Sequence, residues 1–145
     1  MSLTQKYKNV TAYGSELLKM NSSTYALRRK VIDVIYQIND WCREADLPRL
    51  PRIEVRIVTE CECTDKGKIA GYAYTGNLII HIPTDTLDFT ELKFQHVVFH
   101  EVLHAIGFPH KDKCPLMHPY IPKKLDKDEQ WYTLGKYLRE YAESK

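Results

Sequence analysis

Residues 100–110 read His100-Glu101-Val102-Leu103-His104-Ala105-Ile106-Gly107-Phe108-Pro109-His110, the pattern H-E-x-x-H-x-x-G-x-x-H. Its spacing predicts a helix, a sharp turn and a returning segment. Positions i and i+4 of an α-helix lie about 40° apart around the axis and roughly 6 Å apart along it. His100 and His104 can therefore point two imidazoles at one ion from one helix face. Glu101 stands about 100° from His100 and can lean over the same ion without ligating it. The next turn of that face is too far along the axis for a third ligand, which must come from beyond the helix. Gly107 permits the turn, because glycine tolerates positive φ and commonly ends helices. Phe108-Pro109 does not readily continue a helix, since proline lacks the amide donor and restricts its predecessor. The reversed chain then delivers His110.

Three neutral imidazoles leave a fourth tetrahedral position for water, the open geometry of a catalytic zinc rather than a closed structural one. Zinc lowers the pKa of bound water from ~15.7 to about 7. Glu101 is then the expected base, taking the proton of the attacking water and passing it to a leaving amine. A bare H-E-x-x-H matches many unrelated helices. Gly107 and His110 at fixed offsets set this stretch apart from an amphipathic helix with incidental histidines.

The extended motif, with Met117 seven residues on, resembles the metzincin clan of zinc endopeptidases, and within it the matrixins. Pro115-Leu116-Met117-His118-Pro119 is similar to the matrixin Met-turn, where a tyrosine usually stands in place of His118. Ile69-Ala70-Gly71-Tyr72-Ala73 resembles the substrate-binding edge strand, and Gly76-Asn77-Leu78-Ile79-Ile80-His81 the strand that follows it. Leu125-Asp126-Lys127-Asp128-Glu129 resembles the entry to the last helix. The similarity runs from Ile53 to Tyr141.

The resemblance implies an α+β, zincin-like fold. It has a small, mixed, mostly parallel sheet with an antiparallel edge strand, and three helices. The zinc helix falls at about 89–107, the Met-turn at about 114–120 and the C-terminal helix at about 127–142. The implied activity is a zinc endopeptidase acting on a peptide or protein substrate. Met117 would pack beneath the metal without ligating it. A substrate held extended would pair its backbone with Ala70, Gly71, Tyr72 and Ala73, adding a strand to the sheet. His96, one turn before His100, stands where the resemblance places a selectivity residue of the primed-side pocket; the competing reading is a solvated or hydrogen-bonded histidine. Pro119 and Tyr120 would form one wall of that pocket. Tyr120 stands three residues after Met117 rather than two, which counts against an oxyanion-stabilising role. Lys111 follows the third histidine, where subfamilies carry characteristic residues of their own, and it blurs the subfamily. The short stretch between Val58 and Ile69 lacks the His/Asp-rich loop that holds further ions in animal matrixins, so one zinc and no calcium are expected. Neither a propeptide with a latency cysteine nor an appended domain is visible.

Composition agrees with a single catalytic domain over 1–145, long enough for a core. The net charge is +2 with both signs interspersed, so no nucleic acid is expected as a partner. No apolar run approaches the ~20 residues of a membrane span. Met1 to Gly14 lacks the apolar core of a signal peptide, which places the chain in the cytoplasm unless a leader preceded it. The sequence does not specify an oligomeric state. The four cysteines are too few and scattered for a disulfide framework. Cys42 falls on an apolar helix face and reads as core. Cys61 and Cys63 flank Glu62. A disulfide from either to Cys114 and a second metal site are the two alternatives for these thiols.

Along the chain, Gln5 to Tyr13 reads as a first strand. Leu27, Val31, Val34, Ile35, Ile38, Trp41, Cys42 and Ala45 recur at helical spacing after the capping candidates Ser22, Ser23 and Thr24, and this helix ends before Pro48. Ile53, Val55 and Ile57 alternate with Glu54 and Arg56, a strand with one buried face. Lys68 to Tyr74 and Asn77 to Ile82 read as strands joined by a tight hairpin around Gly76. Asp88 to Glu91 offers a capping box for the zinc helix, which Leu92, Phe99, Val102, Leu103 and Ile106 anchor. Asp126 with Glu129 makes another cap. Trp131, Leu134, Leu138 and Tyr141 form the apolar stripe of the last helix. His81 reads as a packing or capping residue, and His118 as a non-ligand near the site.

Two other functions fit part of the pattern. A YbeY-like metal-dependent endoribonuclease shares the three histidines and the glycine, but not the Glu101 base or the Pro115–Pro119 turn, and no basic groove is evident. An inactive metal-binding module has no need to retain Glu101.

Overall fold

Leu27, Val31, Ile35, Ile38 and Cys42 line one face of a helix, each no more than 1% exposed. This helix, α1 (Ser22–Glu44), opens the part of the chain that a computed structural model describes, residues 22–58 and 76–144. It ends where Asp46 takes a positive φ of 59°. Leu47 N–H returns to Cys42 O at 2.7 Å and Asp46 N–H to Arg43 O at 3.2 Å, the paired hydrogen bonds of a Schellman C-cap with aspartate at the left-handed position. Asn39 Oδ1 then accepts from Leu50 N–H at 2.9 Å, fastening the proline-flanked connector to the helix.

The connector leads into β1 (Glu54–Val58), in which Val55 and Ile57 are buried between half-buried neighbours. β1 pairs in parallel with β2 (Ile79–Pro83), Val55 opposite Ile80 and Ile57 opposite Ile82. A 3-10 turn, Thr84–Asp88, follows, then α2 (Glu91–Ala105) and α3 (Lys127–Glu143). The described residues thus form an α+β arrangement of three helices and a two-stranded parallel sheet. α1 lies against β1 and α2 against β2, the two helices touch each other, and α3 packs on α2. No helix among the described residues is long and apolar enough to cross a membrane.

α2 is the centre of the core. Every residue from Phe94 to Ala105 is buried, the polar ones included. Its partners are Ile80 and Ile82 from the sheet and Met117, Leu134 and Leu138 from the C-terminal part, all buried. Phe99 meets Trp131 edge to face at 4.8 Å, and Phe108 meets Tyr137 in the same way at 4.8 Å. These contacts lock α3 against both the helix and the turn that follows it.

Several expected boundaries change. The N-cap of α2 is Thr90, whose hydroxyl accepts from Lys93 N–H at 3.3 Å, and not Asp88. Asp88 is instead the last residue of the 3-10 turn, and that turn is tied down by the buried Thr86 hydroxyl donating to Pro83 O at 2.8 Å. The strand expected from Asn77 begins at Ile79, because Leu78 has φ 58° and is not extended. Asp126 caps α3 as its sequence indicates, accepting from Glu129 N–H at 3.0 Å. The first strand over Gln5–Tyr13, the edge strand over 68–74, and Cys61 and Cys63 lie outside the described residues. Cys42 is buried core, its thiol pKa raised by that burial, and Cys114 is a free thiol rather than half of a disulfide.

Candidate metal centre

The end of α2 shows how the local sequence builds the site. Gly107 adopts φ 119°, its N–H returns to His104 O at 3.0 Å, and Phe108 N–H returns to Leu103 O at 2.9 Å. Glycine is at ease in that conformation; other residues are not. The same carbonyl of His104 also accepts from Gly76 N–H at 2.8 Å, and Ala105 O accepts from Leu78 N–H at 3.2 Å. The chain entering β2 thereby satisfies helix-end carbonyls that would otherwise lack partners. Beyond the turn, Lys111 N–H donates to Met117 O at 3.0 Å, closing the loop that returns Leu116 and Met117 to the core beside α2.

These constraints bring His100, His104 and His110 together. Their candidate ligand atoms all lie within 4.8 Å of one another, and the three residues can hold a metal ion. His100 and His104 are buried and His110 is exposed, so the cluster is open on the side of the post-helix turn. Met117 is fully buried.

The hydrogen bonds fix the protonation of two of the rings. His100 Nδ1 lies 2.7 Å from Leu116 O, and His104 Nδ1 lies 2.7 Å from Phe108 O. A carbonyl oxygen only accepts, so each Nδ1 carries the hydrogen. Each Nε2 of the neutral rings is then a bare lone pair. Yet the two Nε2 atoms stand 3.0 Å apart, and His110 Nε2 stands 3.2 Å from that of His100. Two facing lone pairs at that distance repel unless a cation lies between them. A proton does not serve that purpose well, because burial holds the pKa of His100 down to about 3 and also lowers that of His104. Neighbouring ligands of a tetrahedral ion at 2.0–2.1 Å are separated by about 3.3 Å, close to the spacings seen. The residues present therefore fit a metal ion, and the carbonyls of Leu116 and Phe108 supply the outer hydrogen bonds that orient metal-binding imidazoles.

Glu101 is 1% exposed, and neither carboxylate oxygen has a hydrogen-bond partner within the protein. Burial pushes its pKa well above the ordinary carboxylate range. A buried carboxyl left unpaired is costly. It marks a position where a ligand, a water or a nearby cation supplies what the protein withholds.

The remaining sequence candidates fall in different places. His96 is 1% exposed, both of its ring nitrogens are unpartnered, and its ring stacks at 6.4 Å on that of His100. Burial lowers its pKa to about 4. His118 Nδ1 accepts from Tyr120 N–H at 3.1 Å and is not in the triad. Its charge nevertheless lowers the pKa of His110, second to the effect of burial. Pro119 is half-buried and Tyr120 is 45% exposed. A small cavity beside His96 is walled by Pro115, Leu116, Pro122 and Leu125, and not by Pro119 or Tyr120. His81 is buried within β2 and is not in the triad. Ala70, Gly71, Tyr72 and Ala73 lie outside the described residues. Sequence reasoning did not find the two orienting carbonyls, because a main-chain acceptor leaves no signature in residue type.

Compared with known proteins, the chain matches no family model and no curated protein.

Proposed function

We propose that the chain is a zinc-dependent endopeptidase, closest in character to a minimal matrixin-like catalytic domain, with one zinc and no calcium. The observation that carries the reading is Glu101: a buried carboxyl with both oxygens unpartnered, next in sequence to a ligand of a three-imidazole site. A closed structural site has no use for such a group, whereas hydrolysis needs a base there.

His100, His104 and His110 would hold the ion. When bound, zinc supplies a Lewis acid for a carbonyl oxygen and makes water acidic enough to ionise near neutral pH. Glu101 takes up the proton of the attacking water. Its burial excludes solvent, so the proton stays on the carboxyl until the leaving nitrogen, more basic still, removes it. The carbonyls of Leu116 and Phe108 keep the two helix imidazoles in the tautomer whose Nε2 would be free to hold the ion. Met117, fully buried, would pack beneath the ion as an adaptable apolar side chain. Ala70 to Ala73 are proposed to pair with the backbone of an extended substrate, on the strength of the resemblance of that segment to an edge strand.

The test is to incubate the zinc-loaded protein in parallel with a mixed peptide library and with structured RNA. Peptide cleavage abolished by a chelator and restored by zinc is expected. RNA cleavage without peptide cleavage would overturn the proposal in favour of a metal-dependent endoribonuclease.

A further inference from the structure

Two segments outside α2 orient its histidines, and one side chain of α3 touches both. The first is the turn after the helix. Phe108 O holds His104 Nδ1 at 2.7 Å, and Phe108 N–H returns to Leu103 O at 2.9 Å. The Phe108 ring meets that of Tyr137 edge to face at 4.8 Å. The second segment is the loop that follows His110. Lys111 N–H donates to Met117 O at 3.0 Å, Cys114 N–H to Lys111 O at 3.1 Å, and Met117 N–H to Cys114 O at 3.1 Å. Cys114 is thus the middle of a loop closed by main-chain bonds. Leu116 of the same loop holds His100 Nδ1 at 2.7 Å. The Tyr137 hydroxyl donates to the Cys114 thiol; burial first, and then this bond, raise the hydroxyl pKa above its ordinary value.

We infer that Tyr137 is a positioning residue of the histidine cluster: its ring clamps the turn that orients His104, and its hydroxyl clamps the loop that orients His100 and continues from His110. The inference rests on the reading of that cluster as a zinc site. Tyr137 stands on a 17-residue helix, which the buried Leu134 and Leu138 and the edge-to-face contact of Trp131 with Phe99 fix against α2. Supporting groups carried by a packed helix hold a site more precisely than a loop can hold itself. His110 depends on this support most. It is exposed, and among the described residues no carbonyl holds its ring as Leu116 and Phe108 hold the other two. Its place is set by the turn before it and the loop after it, the two segments that Tyr137 joins.

Two measurements test this. The first is competition for zinc between the protein and a chelating dye of known affinity. Tyr137→Leu removes both contacts and should weaken zinc binding by about 10–100-fold, the usual cost of losing the outer support of a metal ligand. Tyr137→Phe keeps the ring against Phe108 and removes only the hydroxyl, so it should show part of that loss. Cys114→Ala should show the same part, and the two changes combined should add nothing further, as for residues acting through one contact. Natural zinc affinity in Tyr137→Leu or in Tyr137→Phe overturns the inference; Tyr137→Phe carries the test if the leucine variant does not fold. The second measurement follows the Nδ1–H signals of His100 and His104 by NMR in the metal-free protein. In Tyr137→Phe the His104 signal should persist while that of His100 is lost to exchange with water. In Tyr137→Leu both should be lost. A side chain that merely packs would lower the melting temperature and leave both signals in place, and that result overturns the inference. Because this readout needs no metal, a natural chain that binds no zinc would count against the zinc reading alone.

Discussion

The Nε2 atoms of His100 and His104 stand 3.0 Å apart while each ring's Nδ1 is held by a main-chain carbonyl, so two lone pairs face each other. That relationship fits a cluster that can hold a metal ion better than a hydrogen-bonded histidine group, and the first prediction follows from it. Zinc should raise the melting temperature, and a chelator should lower it; free zinc at a thousandfold excess over Kd contributes about 4 kcal/mol. His110→Ala should abolish most of that gain while leaving the metal-free melting temperature nearly unchanged, because His110 is exposed. Thermal melts with and without zinc check this. A metal-free His110→Ala protein that fails to fold would show that the residue has a structural role instead.

Acid should destabilise the metal-free protein. His96 and His100 have folded pKa values of about 4 and about 3, lowered by burial, against an ordinary value of 6.5. Between those limits the unfolded chain binds more protons than the native one, so stability falls as the pH drops from 6.5 towards 4. Each histidine contributes about 1.4 kcal/mol per pH unit across its window. Glu101 works in the opposite sense: its raised pKa contributes stability in acid that is lost as the pH rises through its folded value. Glu101→Gln should therefore steepen the rise in stability from pH 4.5 to 6.5. Denaturant titrations at several pH values measure both slopes, and a flat profile for the natural chain would contradict the assignment of buried neutral imidazoles.

A methyl group at Gly135 should crowd Trp41. A Cβ there would sit 2.8 Å from Cζ2 and 2.9 Å from Cη2 of Trp41, a rigid ring carried by α1. Overpacking of this kind costs about 1–3 kcal/mol, against a gain of about 1 kcal/mol in helix propensity. Gly135→Ala should thus be neutral to about 2 kcal/mol destabilising alone, and stabilising relative to a Trp41→Leu background. A double-mutant cycle in denaturant reads the coupling, which should be near zero if α1 and α3 do not meet at this point.

How far the fold can be read ahead of its coordinates depends on where the determining interaction lies. The helix α2, its end at Gly107 and the return of His110 are written locally, in a 3.6-residue period and one glycine that needs positive φ, and the histidines do converge. α1 and α3 follow from their apolar stripes for the same reason. The N-cap of α2 is Thr90 rather than Asp88, which the 3-10 turn Thr84–Asp88 takes up, a turn fastened by the hydrogen bond from Thr86 to Pro83. The start of β2 is set by bonds from Gly76 and Leu78 to the end of α2, which no pattern within the strand records. The register of β1 against β2, the carbonyls that orient His100 and His104, and the approach of Trp41 to Gly135 are likewise long-range.

The most direct measurement of the central claim compares the natural chain with Glu101→Gln, each loaded with zinc and assayed for bound metal and for hydrolysis of one peptide it cleaves. Glutamine keeps the size of the side chain and removes its basicity. Both proteins should hold one zinc per chain, and the variant should lose at least about a hundredfold in kcat, the low end of what a positioned acid–base group contributes. A Glu101→Gln protein that binds zinc and retains full peptidase activity would contradict the account.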